Sequence, residues 1–258
     1  MRKLATTNRG LLFRDQIRDF LFFVIRPSLA PRLSYRHTSG SISSDWLSAL
    51  RPAFLIKWAL FLWLVNIVVL GPLAVSAATA GGAEHRLDVH AIPWLQAIIW
   101  APIIEEMVFR YSLRRIFSAL WLLPLAVVLM FSGPTVSAQL MLVALLLVCW
   151  WPAIRGNRAL KAVLWPYARL YSRHFAIVFH VFSIAFAAVH LHNFNLSGTP
   201  LSLLPLLVLP QWLTGMVLGW MRVRYGIGSS ILLHSIFNSG PLLLVWLILR
   251  YVPDIAAL

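Results

Sequence analysis

The stretch Ala101–Arg115, "APIIEEMVFRYSLRR", sets two adjacent glutamates inside a run otherwise suited to lipid. The chain has three glutamates in 258 residues, so two of the three stand where a charge is most expensive. An ionisable group at membrane depth costs at least a few kcal/mol and is a functional candidate by default. Helical spacing separates the pair. Glu106 and Arg110 lie four residues apart on one face and can form an ion pair. Glu105 points about 100° away from Glu106. One acid is therefore neutralised, and its neighbour is left to face a cavity as a general base acting on water.

The composition around this stretch is that of a polytopic membrane protein: 60% hydrophobic, with 12 tryptophans and a formal charge of +14. The basic residues are scattered between apolar runs, which argues against nucleic acid and for loops at anionic lipid. Cys149 is the single cysteine, so there is no disulfide framework and no cysteine-based metal site. No cleavable leader is expected, and "LLFRDQIRDFLFFVIRP" reads as an amphipathic interfacial helix. The expected fold is an all-α transmembrane bundle of about seven spans, the third and fourth shorter than the about 20 residues that a full crossing takes. These are Trp58 to Ala80, Pro93 to Leu113, Leu120 to Phe131, Leu140 to Trp151, Phe175 to Leu191, Leu203 to Met221 and Ile227 to Leu249. Residues 1–57 form the interfacial segment and residues 58–258 the membrane domain. With the N-terminus inside, 20 of the 22 Lys/Arg fall on the cytoplasmic side, leaving Arg86 and Arg250 outside. A bacterial inner membrane is the expected location.

A buried base needs polar partners, and two further spans carry them. Phe186 and His190 are four apart on one face, as are His234 and Asn238. Such constellations on three spans can converge on one pocket. Ser230 and His234 are also four apart, which raises a rhomboid-like serine protease as a weak rival. His37, His85, His90, His174 and His180 read as loop, interface or structural residues, and His192 as an outside candidate for the pocket. Gly215 and Gly219 read as a helix-packing contact.

Glu-Glu-x-x-x-Arg (Glu105, Glu106, Arg110), Phe-x-x-x-His (Phe186, His190) and His-x-x-x-Asn (His234, Asn238), in that order, resemble the CPBP family of intramembrane proteases. These are the CAAX-processing, type II prenyl endopeptidase-like and bacteriocin-processing proteins. The resemblance covers about residues 93–241. It implies an endopeptidase in which Glu105, with His190, activates water, and His234 and Asn238 donate to the oxyanion. Glu106 and Arg110 would hold the helices, and Phe186 would shape the pocket. It also implies a membrane-embedded or lipidated protein or peptide as substrate. No cofactor is favoured; if zinc takes part, Glu105, His190 and His234 are its three ligands. The non-enzymatic alternative is a transporter, immunity protein or scaffold on the same fold.

One expectation conflicts with the rest. Counting spans puts Glu105 near the cytoplasmic edge and His190 roughly 20–25 Å along a helix that starts there. A break at Pro102 that sinks the glutamates deeper, or a later start to the fifth span, would reconcile them.

Overall fold

The computed structural model describes residues 12–29, 45–46, 52–88, 91–150 and 158–251, and they are almost wholly helical. His37, His90 and Trp151 lie outside these residues. In chain order the helices are α1 (Phe13–Ile25), α2 (Pro52–Gly81), α3 (Ala101–Phe109), α4 (Ile116–Ser132) and α5 (Val136–Trp150). They continue with α6 (Arg158–Arg173), α7 (Phe175–Val189), α8 (Leu204–Leu207), α9 (Leu209–Arg224) and α10 (Ile227–Tyr251). The two-residue strands β1 (Glu84–His85) and β2 (Phe194–Asn195) pair antiparallel and tie the end of α2 to the end of α7.

Among the described residues, three helices are long and apolar enough to cross a membrane: α2, α10, and α7 with its terminal turn, Phe175–Asn193. A fourth is reached if α9 counts with the segment Leu201–Leu207, from which it bends by 49°. Two shorter apolar helices, Trp121–Ser132 and Val136–Cys149, correspond to the third and fourth expected spans. The protein is thus a helical membrane protein, but seven long apolar helices are not what the described residues show. The largest departure is the glutamate segment, whose continuous helix covers residues 94–109, π turn included, and is not among those long enough to cross.

Two prolines explain where the long helices change character. Proline has no N–H to return to residue i−4, and its ring displaces that carbonyl. A single wide π turn absorbs the misfit. Such a turn, Asn66–Leu70, stands just before Pro72, and a second, Gln96–Trp100, just before Pro102. In each case the N–H closing the turn reaches back five residues, from Gly71 to Asn66 O and from Ala101 to Gln96 O.

The core runs through α1, α2, α3, α7, α9 and α10. Trp58 and Trp220 are fully buried against each other, with ring centroids 4.8 Å apart. Phe20 of α1 stacks edge-on against both. Asp19 fixes α1 to α9: it accepts from Trp220 Nε1 at 2.8 Å and from Arg224 Nε and Nη2 at 2.9 and 3.0 Å. Phe20 and Phe23 face the protein, while Leu21, Phe22 and Ile25 of the same helix face outward. The glycine pair lets α9 lie close on α7. A Cβ at Gly215 would stand 2.9 Å from the Phe186 ring, and one at Gly219 2.7 Å from the Phe179 ring.

The arginines counted as lipid-facing have protein partners instead. Arg110 and Arg222 are 1% and 0% exposed. Arg222 donates to Arg110 O at 3.1 Å and Tyr111 O at 3.3 Å, capping the end of α3, and pairs with buried Asp45. Arg114 donates to Val223 O at 2.9 Å, Arg115 to Asp45 at 3.4 Å, and Arg224 is held by Asp19. The segment after α3 is therefore built into the protein, and its arginines do not by themselves mark a membrane edge. This removes the depth conflict. Phe109 packs on Phe186 at 5.5 Å, and one turn further along both helices Glu105 meets His190. The helices run antiparallel with 109 beside 186 and 105 beside 190, and α7 continues about 16 Å beyond the level of Phe109.

Candidate functional site

The site is assembled from α3, the end of α7 and the middle of α10. Glu106 is fully buried and every contact it makes is structural. Its Oε1 accepts from Arg110 Nη1 at 3.1 Å and from His234 Nδ1 at 3.1 Å, and its Oε2 from the Ser230 hydroxyl. The i,i+4 ion pair expected from the sequence is present. Arg110 also donates to Gly215 O at 3.4 Å, and its guanidinium lies 3.7 Å over the Phe186 ring. A buried carboxylate so surrounded is compensated, which is the condition for tolerating it in a low-dielectric interior.

Glu105 has the opposite environment. Its Oε2 is buried with no hydrogen-bond partner among the described residues. His234 Nε2 stands 3.8 Å from it and His190 Nε2 4.0 Å. The far nitrogen of each ring is committed elsewhere. His190 Nδ1 donates to Phe186 O at 2.8 Å, since a carbonyl can only accept, and His234 Nδ1 is held by Glu106. Both rings are thereby oriented with Nε2 toward Glu105. Phe186 lies against both imidazoles, with centroids 4.6 Å from His190 and 5.8 Å from His234.

Asn238 explains how the second π turn is accommodated. Ala97 O would normally meet the N–H at residue 101, but that group bonds Gln96 O, and Pro102 has no N–H to offer. Asn238 Nδ2 supplies the missing donor at 2.9 Å. One N–H of this carboxamide is used there and the other remains. Asn238, His190, His234 and Phe186 line a cavity of about 210 Å³, together with Asn66, Pro210, Gln211, Thr214 and Phe237. Asn66 and Gln211 were not anticipated. Their signal was visible as polar carboxamides within apolar stretches.

Other candidates fall away from the site. His192 lines a separate cavity with Arg86, so it is not part of the pocket. His180 bonds Val24 O at 3.1 Å, and His85 packs on Phe194 at 5.0 Å. Ser230 is fully buried and bonded to Glu106 and to Leu218 O at 2.9 Å, while His234 directs Nδ1 to the same glutamate. That geometry does not make a serine nucleophile and its base.

For zinc, the donor types are suitable but the spacing is not. Ligand atoms about 2.0–2.1 Å from a tetrahedral zinc stand about 3.3–3.4 Å from one another. The carboxylate to imidazole separations of 3.8 and 4.0 Å are wider. No group of three or more His, Cys, Asp or Glu among the described residues is placed to hold a metal.

The fold and this cluster define a helical integral membrane protein with an acid and two histidines gathered between its helices. A family model, type II CAAX prenyl endopeptidase Rce1-like, matches residues 88–240, more than half of the chain. The chain belongs to that family, which is one of endopeptidases acting on prenylated, membrane-associated proteins. No curated protein and no solved structure matches it.

Proposed function

We propose that this protein is an intramembrane endopeptidase that hydrolyses a peptide bond of a lipidated or membrane-embedded substrate, without a metal. The observation that carries this reading is the Glu105 carboxylate oxygen, left without a hydrogen bond between two imidazole Nε2 atoms. Two acceptors 4.0 Å apart suit a water that donates one hydrogen to each. Glu105, with His190, takes a proton from that water as its oxygen attacks the scissile carbonyl carbon. As an imidazolium, His234 donates Nδ1–H to Glu106 and Nε2–H to the oxyanion. The charges of Glu105, Glu106, Arg110 and His234 then cancel. The remaining N–H of Asn238 is the second donor. An oxyanion donor contributes about 3–4 kcal/mol in other hydrolases. The proton held by the base passes to the departing amine as the C–N bond breaks, and the new carboxylic acid gives its own proton to that amine, leaving a carboxylate and an ammonium.

The cytoplasmic placement of the N-terminus rests on the ten Lys/Arg before Trp58 and the five in residues 155–173, the buried arginines no longer counting. The test is cleavage of a farnesylated peptide by purified protein in lipid nanodiscs. Wild type is expected to cleave it with or without a zinc chelator, and Glu105→Gln, His190→Ala and His234→Ala to lose at least a hundredfold. Loss of activity on chelation would restore the zinc reading. A fully active Glu105→Gln would favour a scaffold role.

A further inference from the structure

Two carboxamides that line the cavity have an oxygen with nothing to accept from among the described residues. Asn66 sits on the π turn of α2, where its Nδ2 donates to Leu62 O at 2.7 Å, so the assignment of its oxygen is fixed. Its Oδ1 is buried and has no partner among the described residues. Gln211 sits in the first turn of α9, and its Oε1 is likewise buried and unpartnered. Both side chains line the cavity that holds His190, His234 and Asn238. Buried polar atoms are nearly always satisfied, and exceptions call for a ligand or a function.

The chemistry of these two groups is specific in kind. A carboxamide oxygen accepts and never donates, so the missing partner is an N–H or O–H donor. The catalytic groups already supply the donors a substrate carbonyl needs. What the peptide still lacks, once taken out of water, is acceptors for its own backbone N–H groups, each costly to leave bare. The rest of the wall is mostly apolar, with Phe186, Phe237 and Pro210, and the Thr214 hydroxyl beside them spends its hydrogen on Pro210 O at 2.9 Å.

We infer that Asn66 and Gln211 are substrate-positioning residues that accept backbone N–H groups of an extended peptide on either side of the scissile bond. This rests on the reading of the cavity as the peptidase site and adds to it a mode of recognition. The enzyme reads main chain through α2 and α9. A segment already folded as a helix, whose N–H groups are spent internally, is a poor substrate. Tolerance of varied side chains next to the cleaved bond follows. It also gives the π turn at Pro72 a task, since it carries Asn66 at this wall.

The test is binding of a short fluorescent peptide ending in an S-farnesyl cysteine and a further tripeptide, measured on the Glu105→Gln protein in nanodiscs. It is repeated with esters replacing single backbone amides away from the scissile bond. Gln211→Met and Asn66→Leu are each expected to weaken the all-amide peptide about threefold to tenfold. Each should leave the affinity for one particular ester analogue unchanged, because that N–H is already gone. Gln211→Glu, which keeps an acceptor, should restore the amide preference. Because each variant is compared with itself on two ligands, a general folding defect weakens both and is recognised. Equal losses on amide and ester, or no loss, overturn the inference while cleavage by wild type leaves the peptidase reading standing. Amide-specific binding with no cleavage by wild type does the reverse, and absence of both binding and cleavage removes both.

Discussion

Arg110 carries the heaviest structural load in the site, and replacing it with Met gives a quantitative test. The substitution leaves the chain's volume nearly intact but strands Glu106, which is fully buried and is also held by His234 and Ser230. Removing one partner of a buried ion pair costs about 3–5 kcal/mol. Losing the guanidinium 3.7 Å over Phe186 forfeits about 2 kcal/mol more where the contact is dry. The sum, about 5–7 kcal/mol, is comparable to the whole stability of many domains. At about 2–4 °C per kcal/mol for a chain of this size, the melting temperature should fall by about 10–28 °C. Adding Glu106→Gln removes the stranded charge, so the double variant should be more stable than Arg110→Met alone by about 2–3 kcal/mol. Glu105→Gln, which loses no hydrogen bond at Oε2, should stay within about 1 kcal/mol of wild type. Thermal melts of the four proteins in detergent, followed by tryptophan fluorescence, decide the matter. If Arg110→Met melts within a few degrees of wild type, or the double variant melts no higher than Arg110→Met alone, the account of Glu106 as a compensated structural charge is wrong.

Three further outcomes follow from the packing. Gly219→Leu should separate α9 from α7, because even a Cβ meets the Phe179 ring at 2.7 Å, and cost about 1–3 kcal/mol in the same melts. Ser230→Ala removes one donor to Glu106 and should cost about 1–3 kcal/mol while peptide cleavage persists, whereas loss of cleavage in a stably folded protein would revive the serine rival. Arg222→Met should destabilise by about 3–5 kcal/mol, since it takes the fully buried partner from Asp45, leaving Arg115 at 3.4 Å, and uncaps Arg110 O and Tyr111 O; near-wild-type melting would refute that role.

Which side chains meet was more legible than how deep they lie. Helical spacing alone paired Glu106 with Arg110 and turned Glu105 aside, and both features are present. The alignment of three polar pairs across α3, α7 and α10 also held in space. Depth was not legible, because counting assumes that arginines end spans. Here Arg110, Arg114, Arg115, Arg222 and Arg224 find carbonyls and carboxylates within the protein. The partners that make this so, Asp19 and Asp45, lie far away in sequence. The π turns were equally hidden: Pro72 and Pro102 signal a disturbance, but not that an extra residue absorbs it. Ser230 and His234 raised a serine protease as a weak rival because spacing shows who shares a face, not that a third group, Glu106, takes both.

The central claim is that Glu105 readies a water for attack on a peptide carbonyl. Cleavage of the farnesylated peptide in water enriched in oxygen-18, with mass spectrometry of the released fragments, tests it most directly. Wild type should place one heavy oxygen in the new carboxylate during a single turnover, and Glu105→Gln should yield no labelled product above background. Product formed without label, or label incorporated at an undiminished rate by the Gln variant, would contradict the account.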